Sequence, residues 1–179
     1  MATYREIKGI QIEVLSSDPS NPVEGQVWYN STSNVVKGSI RSTAGSWSTG
    51  GNLNTARAKI ATASAGTQTA ALGFGGDPPS PVTALTEAYN GTSWTEVNDL
   101  NTARKGAAGA GTQPGALCFG GYITTYQAVT ESWNGSNWTE VNDMNTARER
   151  LGGCGATNTA ALGFGGRDPQ RQLTELWNG

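Results

Sequence analysis

Gly73-Phe74-Gly75-Gly76 returns as Cys118-Phe119-Gly120-Gly121 and again as Gly163-Phe164-Gly165-Gly166, 45 residues apart each time. The flanks repeat with it. Asn-Thr-Ala-Arg stands at 54–57, 101–104 and 145–148, and Thr-Glu followed by an aromatic, Asn and Gly ends at Gly91, Gly135 and Gly179. Trp-Thr-Glu-Val-Asn-Asp occupies 94–99 and 138–143, with a weaker copy at Trp47-Ser48-Thr49. A fixed period of 44–47 residues is the mark of one small unit built several times over, each copy burying a face against the next.

Within a copy the pattern reads as four short strands. In the first, Lys59 to Ala65 is a small-residue strand, Thr69 to Phe74 a second halted by Gly75-Gly76, Val82 to Tyr89 a third and Ser93 to Val97 a fourth. Asn90-Gly91 between the last two predicts a two-residue type I′ hairpin turn, which needs positive φ at both positions. Four antiparallel strands in 40–50 residues match the blade of a β-propeller. The expected strand sets span 57–97, 104–141 and 148–177.

The order of landmarks resembles the kelch repeat: an Arg, a small-residue strand, Gly-Gly, an aromatic, then Trp five residues further. Those positions are Arg57, Gly75, Gly76, Tyr89 and Trp94; then Arg104, Gly120, Gly121, Trp133 and Trp138; then Arg148, Gly165, Gly166 and Trp177. The resemblance covers residues 45–179, and a chain with no His lacks the signature of the WD-type blade. It implies an all-β, kelch-like propeller with three blades' worth of strands. Propellers use about four to eight blades, so either further repeats follow Gly179 or several chains pool theirs. Residues 45–50 have the sequence of a fourth strand and are a candidate outer closing strand for the third copy.

Residues 1–44 stand outside the repeat. Ile10, Ile12 and Val14 alternate with polar residues as a half-buried strand does, and Ser16 to Gly25 reads as a linker. Gln26 to Asn30 and Asn34 to Arg41 are two strands around Ser31-Thr32-Ser33. The run from Gly25 to Lys37 resembles a hairpin module of bacteriophage tail-fibre and virion proteins. That resemblance implies attachment to other tail or baseplate proteins through residues 1–44, a virion location and a homo-oligomer, with a trimer favoured.

Composition narrows the chemistry. The 12 basic and 14 acidic residues give a net charge of −2, which advertises neither nucleic acid nor an anionic membrane. No apolar run is long enough to span a bilayer, and no signal peptide is read at the N-terminus. The absence of His removes the usual triads, most zinc sites and the commonest general base, so no catalytic residue, metal or cofactor is assigned. A carboxylate pair could still hydrolyse a glycoside. Glu87, Glu131, Glu175, Glu96 and Glu140 all obey the repeat, however, leaving Asp77 and Asp168 as the only loop acids that break it. Cys118 and Cys154 are read as small buried fillers, with a disulfide between neighbouring copies as the alternative.

Positions that recur serve the scaffold, and positions that differ are free to serve a ligand. Arg57, Arg104 and Arg148 recur and read as framework holding loop carbonyls or pairing a carboxylate, against the alternative of a charged ring lining a channel. The recurring Trp and Tyr read as packing between copies, with sugar stacking as the alternative. The segments between second and third strands diverge, as recognition loops do and as unconstrained loops also do. They supply the candidate ligand residues Asp77, Tyr122, Thr124, Tyr126, Arg167, Asp168, Gln170 and Arg171. The expected function is host-surface glycan or protein receptor binding by a phage fibre component. A polysaccharide-degrading tailspike and a cellular kelch interaction scaffold are the alternatives.

Overall fold

The computed structural model describes residues 12–23, 25–39, 45–78, 81–167, 169 and 172–179. The described residues form an all-β structure without a helix, in two compact units, residues 1–48 and 49–179.

The first unit is a three-stranded sheet of β1 (Glu13–Leu15), β2 (Val27–Asn30) and β3 (Val35–Gly38). β1 runs parallel to β2, and β2 pairs antiparallel with β3 from Val27↔Gly38 to Asn30↔Val35. The alternation expected around Val14 does not bury it, since Val14 is exposed, and Ile10 lies outside the described residues. The centre of this unit is polar instead. Asp18, in the stretch read as a linker, accepts from Trp28 Nε1 (3.1 Å), Asn30 Nδ2 (2.7 Å) and Lys37 Nζ (2.6 Å), and Trp28 and Asn30 are its buried residues.

These bonds, that from Lys37 first, hold the Asp18 carboxyl at about 2 against an ordinary 3.8. A value depressed in the folded state stabilises the fold only above 3.8 and loses that contribution as pH falls toward about 2. In an acid titration followed by the Trp28 indole N–H resonance, the first unit is expected to loosen in that window. Asp18→Asn is expected to loosen it already at neutral pH; an unchanged Trp28 resonance in the variant would remove Asp18 from this role.

The second unit contains three antiparallel meanders. The first sheet is β4 (Ala61–Thr62), β5 (Ala71–Phe74), β6 (Thr86–Tyr89) and β7 (Trp94–Val97), in that spatial order. The second is β8 (Ala108–Thr112), β9 (Gly115–Phe119), β10 (Thr130–Trp133) and β11 (Trp138–Val141). The third has three strands, β12 (Gly152–Thr157), β13 (Ala160–Phe164) and β14 (Thr174–Trp177). Register repeats with sequence: Phe74↔Thr86, Phe119↔Thr130 and Phe164↔Thr174. Residues 45–50, the expected closing strand, form no strand, and Trp47 is fully exposed.

Two local expectations are corrected. The strand expected over Lys59 to Ala65 covers only Ala61–Thr62; a φ of +52 at Lys59 delays its start, and the equivalent Gly106 (+61) and Arg150 (+56) share that kink. The kinks bond in series, Gly106 N to Lys59 O (3.0 Å) and Arg150 N to Gly106 O (2.7 Å). The hairpin at Asn90-Gly91 is present, but its loop is four residues, between Tyr89 and Trp94. Only Gly91 has positive φ there, and the Asn90 side-chain oxygen accepts from the backbone N–H groups of Thr92 (3.0 Å) and Ser93 (2.9 Å). Asn134 repeats the arrangement, so the turn rests on a side-chain bond that the dipeptide reading overlooked.

Alternation along β5, β9 and β13 stacks the sheets. Leu72 and Phe74 share a core with Ala116, Cys118, Trp133 and Trp138, and Leu117 and Phe119 share the next with Leu151, Ala161 and Trp177. The first strands approach so closely that a Cβ at Gly109 would overlap the Thr62 carbonyl, and one at Gly153 would lie 2.8 Å from Gly109 O. Burying a Phe side chain stabilises by roughly 1.5–3 kcal/mol. Phe74 and Phe119 gain this, while Phe164, covered by no sheet among the described residues, stays 43% exposed. Cys154 on the third sheet is exposed as well, not the buried filler expected. Its counterparts Ala63 and Ala110 are buried beneath a following sheet.

The Asn-Thr-Ala-Arg signature folds over a carboxylate. Arg57 pairs with Glu87 at 2.5 Å, Arg104 with Glu131 at 2.6 Å and Arg148 with Glu175 at 3.1 Å. The backbone N–H groups of Asn54, Asn101 and Asn145 donate, in that order, to Glu87, Glu131 and Glu175, each at 2.7 Å. All three arginine side chains are fully buried, so their charges are matched inside the sheet stack and not offered to solvent. Cys118 lies beside this pair, accepting from Arg104 Nη2 at 3.2 Å, and burial pushes its thiol up, which keeps it neutral.

Candidate functional site

The loops after β5, β9 and β13 and the links into β8 and β12 meet at one end of the sheets. Backbone bonds fix that meeting: Gly76 N donates to Arg104 O (2.9 Å), Gly121 N to Arg148 O (2.8 Å), and Arg167 N to Glu149 O (2.9 Å). The paired glycines are needed because each has positive φ and a Cβ at Gly75 would press to 2.5 Å from Arg104 O.

On this frame the divergent side chains form a row. Asp77 accepts from Lys59 Nζ (2.9 Å) and Lys105 Nζ (3.0 Å), and these bonds, Lys59 first, draw its carboxyl below the ordinary value. The Lys105 ammonium lies 5.9 Å over the Tyr122 ring, and Tyr122 meets Tyr126 edge-on at 5.9 Å. Arg167 follows, its Nη1 donating to Glu149 Oε1 (3.1 Å), a bond that raises the Arg167 value, while Arg150 approaches the same buried carboxylate at 3.8 Å. Tyr122, Thr125, Tyr126 and Arg167 line an open cleft of about 450 Å³.

Among the expected ligand residues, the structure gathers Tyr122, Tyr126 and Arg167 around that cleft. Thr124 is exposed in the same loop. Asp77 is engaged by two lysines, and Asp168, Gln170 and Arg171 lie outside the described residues. Lys59, Lys105, Glu149 and Arg150 were missed. Their signal was present, because the two residues after each framework Arg (Ala58-Lys59, Lys105-Gly106, Glu149-Arg150) differ between copies as freely as the loops do.

Among the described residues the row carries four cations, Lys59, Lys105, Arg150 and Arg167, against two carboxylates, Asp77 and Glu149, in a chain of net charge −2. Paired tyrosines offer flat stacking area, and a partly exposed guanidinium offers forked donors. Among the described residues no group of three or more His, Cys, Asp or Glu is placed to hold a metal ion. Compared with known proteins, the chain matches no family model and no curated sequence.

Proposed function

We propose that the second unit is part of a kelch-like β-propeller in a bacteriophage tail-fibre or related virion protein, and that its loop face binds an acidic host-surface glycan. Residues 1–44 then serve as the attachment module, joining the unit to other tail or baseplate proteins in the virion. One observation carries the ligand reading. Where scaffold positions coincide between copies, the loops diverge to set the Tyr122–Tyr126 pair between Lys105 and Arg167 on a face whose described residues carry surplus positive charge. Sugar rings stack on such tyrosines, and carboxylate or phosphate substituents satisfy the cations. Weak single sites suit a protein displayed in many copies, because avidity multiplies them.

Binding is favoured over hydrolysis by Asp77. A general acid needs its pKa raised, and the two lysines draw this carboxyl the other way.

The test is a glycan array followed by titration calorimetry with an acidic and a neutral oligosaccharide of equal length. Acidic chains are expected to bind, more weakly as salt rises, and Tyr126→Ala or Arg167→Ala is expected to weaken binding about tenfold or more. Equal binding of neutral chains, or indifference to both substitutions, would refute the site. Release of reducing ends from host polysaccharide would replace adhesion with depolymerisation.

A further inference from the structure

The left-handed kinks carry information about the loop face. Lys59, Gly106 and Arg150 hold equivalent backbone positions at φ +52, +61 and +56. Glycine takes this conformation freely, whereas a Cβ strains it. The middle copy has the glycine, and both copies that give it up have a long cation instead. Strain retained where glycine fits is a pointer to a side chain with a task.

The partners of Lys59 show what that task is. Its Nζ donates to Asp77 Oδ2 (2.9 Å), and Lys105 Nζ donates to the same oxygen (3.0 Å). Two ammonium groups on one oxygen stand no more than about 6 Å apart, where like charges repel unless an anion lies between them. Asp77 holds them together with one negative charge for their two positive ones. An ammonium has three N–H donors, and each uses one on Asp77. The side chains of Lys59, Lys105 and Asp77 are 38%, 21% and 24% exposed, so a ligand reaches them. Lys105 is also tied to an aromatic platform. Its backbone exchanges hydrogen bonds with Tyr122 (3.1 and 2.8 Å), and its Nζ lies 5.9 Å from the Tyr122 ring centroid.

We propose that Lys59 and Lys105, held together by Asp77, are the anion subsite of the loop face: one carboxylate or phosphate group of the ligand bridges the two ammonium groups, and the sugar ring that bears it rests on Tyr122. The subsite rests on the acidic-glycan reading and adds to it the place where the acidic group sits. Lysine suits this role. A compact charge with rotatable donors takes planar carboxylate and tetrahedral phosphate alike, so the pair selects for charge and the tyrosines for a ring. Asp77 is then a positioning residue, acting on the ligand through the two lysines.

The experiment follows the lysine side-chain resonances of the full chain during titration with inorganic phosphate, with glucuronate and with glucose. Both anions are expected to shift Lys59 and Lys105 together, and glucose to shift neither; the stronger of the two anions identifies the substituent preferred. Calorimetry with the acidic oligosaccharide then tests two variants. Lys59→Gly removes the cation and the strain at once, so it is expected to weaken binding about tenfold while the urea midpoint does not fall. Asp77→Ala makes the face more positive, and attraction by charge alone would tighten binding. Loss of the clamp is expected to weaken it about threefold instead, with the Tyr126 ring resonances unmoved. Lysine resonances indifferent to both anions, unchanged affinity or a lower urea midpoint in Lys59→Gly, or tighter binding by Asp77→Ala would each overturn the subsite. An oligosaccharide weakened by Arg167→Ala but not by Lys59→Gly removes the subsite and leaves the glycan reading standing. Simple anions that bind the lysines while no oligosaccharide binds leave the subsite standing and remove the glycan reading.

Discussion

Glu131→Gln is expected to destabilise the second unit by about 3–5 kcal/mol, because it leaves a buried guanidinium without its counter-charge. Glu131 and Arg104 have fully buried side chains, 2.6 Å apart. Glu131 also accepts from Asn101 N (2.7 Å), Asn101 Nδ2 (2.9 Å) and Thr102 N (3.2 Å), so one carboxylate ties the Asn-Thr-Ala-Arg loop to β10. An amide of the same shape keeps part of this hydrogen bonding but none of the charge. The equivalent change in the third sheet is expected to cost less than half as much. Glu175 is 16% exposed, and its 3.1 Å approach to Arg148 lacks hydrogen-bond alignment, leaving Oε1 without a hydrogen-bond partner. That pairing is weaker to begin with, so less is lost there. Urea unfolding of the two variants measures the difference. Arg104→Met combined with Glu131→Gln should recover much of the loss, since removing both charges also removes their desolvation. Equal costs at Glu131 and Glu175 would mean that these pairs are not held by burial.

The repeat made the all-β architecture and the strand order legible, since period, Gly-Gly stops and Asn-Gly turns all act locally. What escaped was whatever depends on a neighbour. Cys154 and Phe164 carry the same small or apolar character as Ala110 and Phe119, yet only the latter pair is covered by a following sheet. No property of the residue itself encodes that. Lys59 and Arg150 hide a left-handed kink because a Gly marks it only in the middle copy, at Gly106. Asp18 looked like linker because its three partners, Trp28, Asn30 and Lys37, lie ten or more residues away. Of the candidate site, Tyr122, Tyr126 and Arg167 were readable from divergence between copies. Lys59, Lys105 and Glu149 carried the same signal, but next to a conspicuous framework Arg they passed for part of it.

Trp138→Ala should be the most damaging single truncation between sheets, at about 3–5 kcal/mol. The ring is 5% exposed and spans two sheets, edge-on to Phe74 at 4.9 Å and tilted against Trp133 at 5.3 Å, with its N–H on Thr86. Truncation opens a cavity that a backbone fixed by close Gly109–Thr62 packing cannot collapse to fill, and it leaves the Thr86 hydroxyl, in a fully buried residue, without this donor. Trp138→Phe isolates the second effect: most of the ring stays, and the cost should fall to about 1–3 kcal/mol, the desolvation penalty of one unsatisfied polar group. Trp94 is the internal control. It has the same place in the first sheet, but among the described residues of the second unit no earlier sheet receives it, and it is half-buried beside Tyr89 at 5.1 Å. Trp94→Ala should therefore cost well under half of what Trp138→Ala does. Hydrogen exchange locates the damage: in Trp138→Ala the amides of β5 and β6 should lose protection along with those of β11, because the first sheet loses the ring that covers it. Loss confined to β11, or equal costs at Trp94 and Trp138, would show that these tryptophans stabilise only their own hairpins and that the stacking of one sheet on the next rests on other contacts.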